Sequence, residues 1–245
     1  MSWHAGRLAA FDLETTGIEL EHDRIVTAAV SIVGGGLPSE SHDWLVDPEI
    51  EIPAEATAVH GISTEHARTH GRDAREAIEE IVALLAAHVR DGVPIVAFNA
   101  RFDLTILDRE ARRHELRPLV DRIGGAEALL VVDPLVIDKA ADRYRPGKRT
   151  LTAVSEHYRV RLDSAHAADA DAIAAARVAW RLGQRFPQLR DATLADLHRW
   201  QVVWADRQAR SLEEYFRSQG RPEHVEPAWP IVPLPLPVAP LAVAA

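Results

Sequence analysis

Two carboxylates follow an apolar strand segment near the start of the chain. Asp12 and Glu14 come directly after the run at residues 8–11 and stand one residue apart. Because successive side chains of a strand point to opposite faces, Asp12 and Glu14 share one face where the buried strand emerges. Like charges held this close destabilise each other. We therefore expect either a cation between the two carboxylates or a proton on one of them.

Two more acidic residues and a histidine stand at the ends of other predicted elements. Asp103 lies near the start of a helix predicted over residues 101–116. Asp171 lies early in an alanine-rich helix predicted over residues 166–186, and His166 precedes it by five residues. Oxygen ligands from scattered segments, in a chain without cysteine, suit Mg²⁺ or Mn²⁺ better than a structural zinc. Such a metal would also resolve the charge conflict in the first strand.

This set of side chains suits the hydrolysis of a phosphodiester. Two divalent ions about 3.5–4 Å apart can hold the attacking and the leaving oxygen of an in-line phosphoryl displacement. A histidine beside them can take the proton of the attacking water, because its pKa lies near working pH. The residues alone also allow a structural reading, in which Asp12 and Glu14 belong to a solvated turn and Asp103 caps its helix.

Three motifs in order resemble a known family. FDLETTG, NARFD and the H-x4-D of HAADAD resemble the DEDDh (DnaQ-like) family of 3′–5′ exonucleases. That family includes the epsilon proofreading subunit of bacterial DNA polymerase III, RNase T and oligoribonuclease. The resemblance covers roughly residues 5–186 and extends to AVHGIS, VVDPLVIDKA and RTLTAVSEHYRV. The chain departs from many relatives at Phe98-Asn99, where they have histidine and asparagine, which concerns a substrate contact rather than the metal ligands.

The resemblance implies a role for each of the five residues. Asp12 would bridge two divalent ions, Mg²⁺ or Mn²⁺, and Asp103 would bind the second of them, directly or through water. Glu14 and Asp171 would hold the ion that activates water, and His166 would be the general base. The implied fold is ribonuclease H-like, a three-layer α/β/α arrangement.

Other positions are predicted to contact the substrate. Thr15 and Thr16 would touch the 3′-terminal nucleotide, and Phe102 would wall its base or sugar. A basic loop with an aromatic residue can hold phosphates and stack a base, which describes DRYRPGKRT at residues 142–150. The remaining predicted substrate-binding residues are His60, which could equally pack against its own turn, and Asn99, Arg145, Lys148 and Arg149.

Several further residues have a competing interpretation. The H-x4-D spacing favours Asp171 over Asp169 as the ligand, so Asp169 is read as a solvated helix residue. His66 and His70 stand four apart, as zinc ligands on a helix can, but HARTH lacks the glutamate of a metalloprotease and is read as exposed surface. The arginines of the helix after the second motif are read as one solvated face: Arg109, Arg112, Arg113 and Arg117.

The elements that must position these residues form an α/β pattern. Residues 24–34 and 40–48 read as two further strands joined by a glycine turn, so that three antiparallel strands begin the chain. A strong helix follows at 73–92, with Asp73 as its cap. Strands and helices then alternate, which predicts a mixed five-stranded sheet with the antiparallel hairpin at one edge.

The chain divides into three predicted parts. Residues 1–190 would form the exonuclease domain, and residues 191–220 a C-terminal amphipathic helix centred on 194–216 that packs on the domain. Residues 221–245 carry seven of the fifteen prolines, so this tail is expected to be extended or disordered.

Composition limits the partners. With 245 residues and a net charge of −9, the chain has no large basic face for nucleic acid, which predicts weak, distributive action on long DNA. No apolar run is long enough to span a membrane, and a cytoplasmic location is expected. The sequence thus predicts a metal-dependent 3′–5′ exonuclease that acts on single-stranded DNA ends and releases nucleoside 5′-monophosphates. The alternatives are an exoribonuclease for short RNA and an accessory subunit that docks to a polymerase or repair complex through the C-terminal helix and tail.

Overall fold

Three antiparallel strands begin the chain and form the predicted meander. The computed structural model defines residues 2–162 and 167–235. The strands are β1 (Arg7–Thr15), β2 (Ile25–Gly34) and β3 (Glu40–Leu45). The turn between β2 and β3 uses Gly34, Gly35 and Gly36, all with positive φ, a conformation in which glycine has no steric cost.

Two short parallel strands complete the sheet on the other side of β1. They are β4 (Ile95–Val96) and β5 (Val131–Val132), and the order is β3-β2-β1-β4-β5. The predicted mixed five-stranded sheet with its hairpin at one edge is confirmed. β4 is shorter than the run at 93–100 because strand pairing with β1 ends at Ala10.

Helices connect and cover the strands at the predicted places. The long helix after the hairpin begins with the predicted cap, since the Asp73 side chain accepts a hydrogen bond from the Glu76 N–H. The helices are α1 (Ala54–His60), α2 (Thr64–His70), α3 (Ala74–Arg90), α4 (Ala100–Arg113), α5 (Leu119–Ile123), α6 (Pro134–Ala141), α7 (Leu151–Tyr158), α8 (Ala168–Arg185), α9 (Pro187–Arg190) and α10 (Leu194–Ser218).

Alternation along β1 separates two cores, one on each face of the sheet. Phe11 and Leu13 belong to the core that includes α3 and α4. Leu8 and Ala10 belong to the second core, against α8 and α10. The sheet therefore lies between two helical layers, which confirms the ribonuclease H-like α/β/α arrangement. Asp12 and Glu14 continue the face of Leu8 and Ala10, so they point toward the layer that contains α8.

The C-terminal segment packs onto the domain. Leu197 and Gln201 of α10 are fully buried, and α10 contacts α6 and β5. The chain then returns in an extended form, and Trp229 is buried against the core that contains α4. The prediction that α10 packs on its own domain matches this arrangement. The tail is extended, and its hydrogen bonds to the domain continue as far as Pro233. Residues 236–245 lie outside the described part.

One prediction about α4 is wrong. Arg109 is buried, and its guanidinium pairs with Glu21 at 2.8 Å and with Asp108 at 2.9 Å. The prediction of a solvated face is wrong for Arg109 because Glu21 and Asp108 cover its guanidinium. Arg112, Arg113 and Arg117 are exposed as expected. None of the helices in the described ranges has the length and apolar character needed to cross a membrane.

Candidate metal-binding active site

Three carboxylates converge where β1 leaves the core. Asp12 and Glu14 lie on the β1 face toward α8, and Asp171 lies in the first turn of α8. One carboxylate oxygen from each of Asp12, Glu14 and Asp171 lies within 4.8 Å of the others. Within residues 2–162 and 167–235 these form the one group of three or more acidic or histidine side chains close enough to share a cation.

The fourth predicted acid reaches the same strand from α4. Asp103 is buried, and its Oδ1 accepts a hydrogen bond from the Leu13 N–H at 3.1 Å. The N–H of Leu13 lies beyond the end of the β1–β4 pairing at Ala10, so it needs another acceptor. The carboxylate of Asp103 takes the place that a longer β4 would fill. The four acids of the three motifs are thereby collected at one edge of the sheet.

The charge at this edge is unbalanced. Burial raises the pKa of Asp12 well above its usual range, and the charges of Asp103, Asp171 and Glu14 raise it further. Burial also raises the pKa of Asp103, against the lowering effect of its bond from Leu13. A divalent cation would reverse both effects, and the donor set consists of the hard oxygen atoms that Mg²⁺ and Mn²⁺ prefer. The residues therefore fit a divalent metal ion.

The competing histidines and acids fall outside this cluster. Asp169 is exposed and its charge acts on Asp43 of β3, whereas Asp171 lies in the cluster. His66 and His70 are exposed on α2, with ring centroids 4.8 Å apart. His166, the predicted general base, lies outside the described residues.

The two threonines after Glu14 form a tightly bonded turn. The Thr15 hydroxyl donates to the Gly17 carbonyl at 2.6 Å, and the Thr16 hydroxyl donates to Asp23 at 2.6 Å. Gly17 allows this because a Cβ there would lie 2.5 Å from the Asp23 carboxylate. Both hydroxyl protons are thus used within the turn. The contact of Thr15 and Thr16 with a nucleotide stays a prediction. Because their hydroxyl protons are already bonded, their backbone groups are better suited to that contact than their hydroxyl protons.

His60 sits beside this turn at the end of α1. Its Nδ1 accepts a hydrogen bond from the Ile62 N–H at 3.1 Å, which is the alternative in which the histidine packs against its own turn. Burial lowers the pKa of His60, and a backbone interaction with Thr15 opposes that shift. The Nε2 atom is buried next to the threonine turn. The structure thus places His60 close to Thr15, and its role toward substrate stays a prediction.

The turn before α4 is held by a carboxylate from another segment. Asn99, the residue before α4, adopts the left-handed conformation with φ 70°, and Phe102 in the first turn of α4 is partly buried against the core. The N–H groups of Asn99 and Ala100 donate to the two oxygens of Asp133, at 3.1 and 3.0 Å. Asp133 also caps α6 by accepting from Leu135 N–H at 2.9 Å. Burial raises the pKa of Asp133, and the bonds from the Asn99 and Leu135 N–H groups oppose that shift.

The sequence interpretation gave Asp133 no role. A usable signal was present in VVDPL, since an aspartate before a proline after a short apolar run predicts a helix cap. That signal could not show that the same carboxylate also binds the turn before Asp103, because the two segments are 34 positions apart.

The basic loop is built around a buried acid. Arg145 and Arg149 both donate to Oδ2 of the fully buried Asp138 at 2.6 Å, and the Tyr158 hydroxyl donates to its Oδ1 at 2.7 Å. Arg149 also donates to three backbone carbonyls of this region. The two arginines therefore hold the loop to the domain, whereas Lys148 is exposed. The contact of this loop with a phosphate stays a prediction, and the exposed Lys148 is the residue best placed to make it.

Comparison with known proteins identifies the family. Residues 9–179 match the model of the RNase T family, described as Exonuclease. The DNA polymerase III PolC-type of Streptococcus agalactiae serotype III is 27% identical over 194 residues, which are 79% of this chain and 12% of that protein. The corresponding polymerase of Streptococcus pyogenes serotype M2 is 28% identical over 179 residues, 73% of this chain and 11% of that protein.

Solved structures of Exonuclease I of Escherichia coli have the same fold. The complex with a dT13 oligonucleotide has a TM-score of 0.64 and 21% identity, covering 76% of this chain and 43% of that chain. The zinc-bound form of the complex with single-stranded DNA has a TM-score of 0.65 and 21% identity, covering 76% and 42%. The chain thus spans about an eighth of the polymerases and less than half of Exonuclease I. With a family match over most of its length and the same fold, the chain belongs to the exonuclease family, which confirms the predicted DnaQ-like 3′–5′ exonuclease resemblance.

Proposed function

We propose that the protein is a divalent-metal-dependent nuclease that removes nucleotides one by one from the 3′ end of single-stranded DNA and releases nucleoside 5′-monophosphates. The proposal rests on one observation. Carboxylate oxygens of Asp12, Glu14 and Asp171 lie within 4.8 Å of one another, and the charge of Asp103 contributes to the raised pKa of Asp12. The repulsion between carboxylates held this close must be offset by a bound cation or by protonation, and protonation would impair the function of the site. Phosphodiester hydrolysis is the reaction of this exonuclease family, and this set of donor atoms suits it.

The residues have distinct roles in the proposed reaction. Asp12 would bridge two ions, Glu14 and Asp171 would complete one site, and Asp103 the other. When bound, the ions would supply positive charge to the attacking and leaving oxygens of the displacement. His166 would accept a proton from the attacking water. As the water oxygen bonds to phosphorus, the bond from phosphorus to the 3′ oxygen of the penultimate nucleotide breaks, and that nucleotide becomes the new 3′ end.

The choice of single-stranded DNA rests on the relatives. The Exonuclease I structures are complexes with a dT13 oligonucleotide and with single-stranded DNA, and the sequence relatives are DNA polymerases. The sequence relatives also support a DNA polymerase as the partner, whereas a repair complex stays a prediction. The net charge of −9 favours short ends over long duplexes, because affinity for duplex DNA comes mainly from neutralising phosphates.

A 5′-labelled oligonucleotide, prepared as DNA and as RNA, tests the proposal. With Mg²⁺ or Mn²⁺ the products should shorten from the 3′ end, and with EDTA they should not. Asp12→Ala should abolish the ladder, and His166→Ala should slow it severely while Mn²⁺ still binds. Asp169→Ala is the matched control, because Asp169 is exposed two residues from Asp171 and should be dispensable. Full activity of Asp12→Ala would contradict the proposal, and faster RNA shortening would make RNA the substrate.

A further inference from the structure

The extended residues 225–233, here called the strap, run along α4 on the side away from the acidic cluster. Arg101 donates to the Glu226 carbonyl, the Val232 N–H donates to the Thr105 hydroxyl at 3.0 Å, and Arg109 donates to the Pro233 carbonyl at 2.9 Å. The three positions on α4 are spaced by four residues, so they form one stripe of the helix. The strap therefore contacts α4 along two of its turns.

The opposite side of α4 carries the second motif. Asp103 lies between the first two members of that stripe in sequence but points to β1, where it accepts the Leu13 N–H. A helix that is bonded to the strap on one side and to β1 on the other cannot shift without breaking one set of bonds. The position of the Asp103 carboxylate relative to Asp12 and Glu14 thus depends on what covers the outer side of α4.

A second connection runs through Asp133, which binds the turn that begins α4. The Trp229 indole N–H donates to Oδ2 of Asp133 at 3.3 Å, and the Asp133 N–H donates to the Gln201 side-chain carbonyl at 2.6 Å. The Gln201 amide group then donates to the Val131 carbonyl at 2.9 Å. Asp133, Gln201 and Trp229 are all buried, so water does not replace these bonds easily. Two residues of the C-terminal segment thereby hold Asp133, Trp229 at its carboxylate and Gln201 at its backbone N–H.

Both connections come from outside the region that matches the exonuclease family. The family match ends at residue 179, whereas Gln201 lies in α10 and Trp229 in the strap. We infer that Gln201 and Trp229 are positioning residues of the active site, which hold Asp133 and the N-terminus of α4 so that Asp103 can share divalent ions with the acids of β1. The inference rests on the proposed metal-dependent function.

Trp229→Phe tests the inference, because phenylalanine fills most of the same space but lacks the N–H donor. Trp44→Phe is a matched control. Trp44 is equally buried, and its indole N–H donates to the Glu80 carboxylate at 3.0 Å, but it lies on β3 at the far edge of the sheet. Both variants lose one indole-to-carboxylate bond, and only one of the two bonds leads to the turn before α4.

Two measurements on the full chain separate positioning from general stability. Hydrogen exchange without metal should show faster exchange of the Asn99 and Ala100 amides in Trp229→Phe but not in Trp44→Phe. Titration calorimetry with Mn²⁺ should show a dissociation constant raised roughly tenfold in Trp229→Phe only, the lower end of the effect of losing an outer partner of a metal site. At saturating Mn²⁺ the kcat should return most of the way to the wild-type value.

A second variant guards against a folding defect in the first. Thr105→Val keeps the shape of a fully buried side chain but loses the acceptor of the Val232 N–H, and it should weaken Mn²⁺ binding in the same direction. Unchanged amide exchange and Mn²⁺ affinity in Trp229→Phe and Thr105→Val would overturn the inference, as would equal changes in Trp44→Phe. A wild-type protein that binds no Mn²⁺ would instead contradict the proposed function.

Discussion

The backbone N–H of Leu13 donates to the Asp103 carboxylate at 3.1 Å, although 90 positions of chain separate the two residues. This bond joins the strand of the first motif to the helix of the second. The bond from this backbone donor lowers the pKa of Asp103, but burial raises that pKa more, so the bond alone does not offset the burial of the carboxylate. One oxygen of Asp103 is thus fixed by the fold at the edge of the sheet where Asp12 and Glu14 lie.

Asp103→Asn should separate the structural role of this residue from its chemical role. The amide oxygen can still accept from Leu13, and the loss of one negative charge relieves the repulsion of Asp12. We expect a folded protein whose metal-free melting temperature equals or exceeds that of the wild type. Nuclease activity should fall by more than about 100-fold, because loss of even an outer partner of a metal site costs about 10- to 100-fold. Thermal unfolding and the oligonucleotide assay measure the two effects, and a variant that unfolds would refute this separation.

The raised pKa of Asp12 predicts a pH dependence of the metal-free protein. The folded state holds a proton on Asp12 at pH values where the unfolded chain, with a carboxyl pKa of about 4, has lost it. Stability without metal should therefore fall as the pH rises from about 4 through the raised pKa. Asp12→Asn should flatten this fall and raise the melting temperature at neutral pH.

Circular dichroism melts across this pH range, with EDTA or Mg²⁺, measure the Asp12 effect. Mg²⁺ should raise the melting temperature of the wild type at neutral pH and should leave Asp12→Asn nearly unchanged. Asp169→Asn is the control for a nearby but exposed carboxylate. Equal stabilisation of Asp12→Asn by Mg²⁺ would show that the cluster is not where the ion binds.

Asp138→Asn should destabilise the protein through the basic loop. Arg145 and Arg149, whose side chains are 10% and 14% exposed, would lose their shared buried partner. Breaking a buried ion pair by removing one partner costs about 3–5 kcal/mol, which urea unfolding would detect. Lys148→Gln should change stability by less than about 0.5 kcal/mol, as exposed substitutions usually do.

The same loop gives a direct test of phosphate contact. If Lys148 touches a phosphate, Lys148→Gln should weaken binding of DNA and RNA strands alike and reduce the salt dependence of binding by about one ion. Binding of a single-stranded oligonucleotide in Ca²⁺, measured by fluorescence anisotropy at several salt concentrations, would show this. An unchanged slope would assign the whole loop to structure.

A chain that ends at residue 190 should lose activity. It would lack α10 and the strap, and would thereby expose the core that Leu197 covers and leave Asp133 without Gln201 and Trp229. We expect aggregation or a strongly lowered melting temperature rather than an independent exonuclease domain. Size-exclusion chromatography and thermal unfolding of the shortened chain measure this. A stable, fully active fragment would instead make residues 191–245 a separable appendage.

The sequence predicted those parts of the fold that depend on local patterns. The alternation of side chains along a strand predicted β1 and the shared face of Asp12 and Glu14. The helical spacing of apolar residues predicted α3 and α8 nearly to their ends. The first two acidic motifs were found because each follows a short apolar run, and the sheet topology brings the ends of those strands to one edge. The third motif was found by its H-x4-D spacing at the start of a predicted helix. Spacing separated Asp171 from Asp169, and Asp171 lies in the acidic cluster, while its role as a metal ligand stays a prediction.

The parts that the sequence did not predict depend on contacts between distant segments. Trp229 is a single aromatic residue among prolines, so no periodicity marks it as buried, and Asp133 meets it across 96 positions. Arg109 looked like any arginine of a polar helix face because neither the strap nor Glu21 is near it in sequence. The bonds of Arg145 and Arg149 to Asp138 could not be predicted, because the burial of Asp138 is decided by packing and not by its neighbours in the chain.

The long sequence separation of the bonds around α4 has a consequence for refolding. Helices and the β1–β2–β3 meander form from neighbours in the chain, whereas the bonds of Leu13 with Asp103 and of Asp133 with Trp229 close large loops, which is slow. A protein diluted out of denaturant would therefore regain its circular dichroism spectrum first and its capacity to bind a divalent ion last.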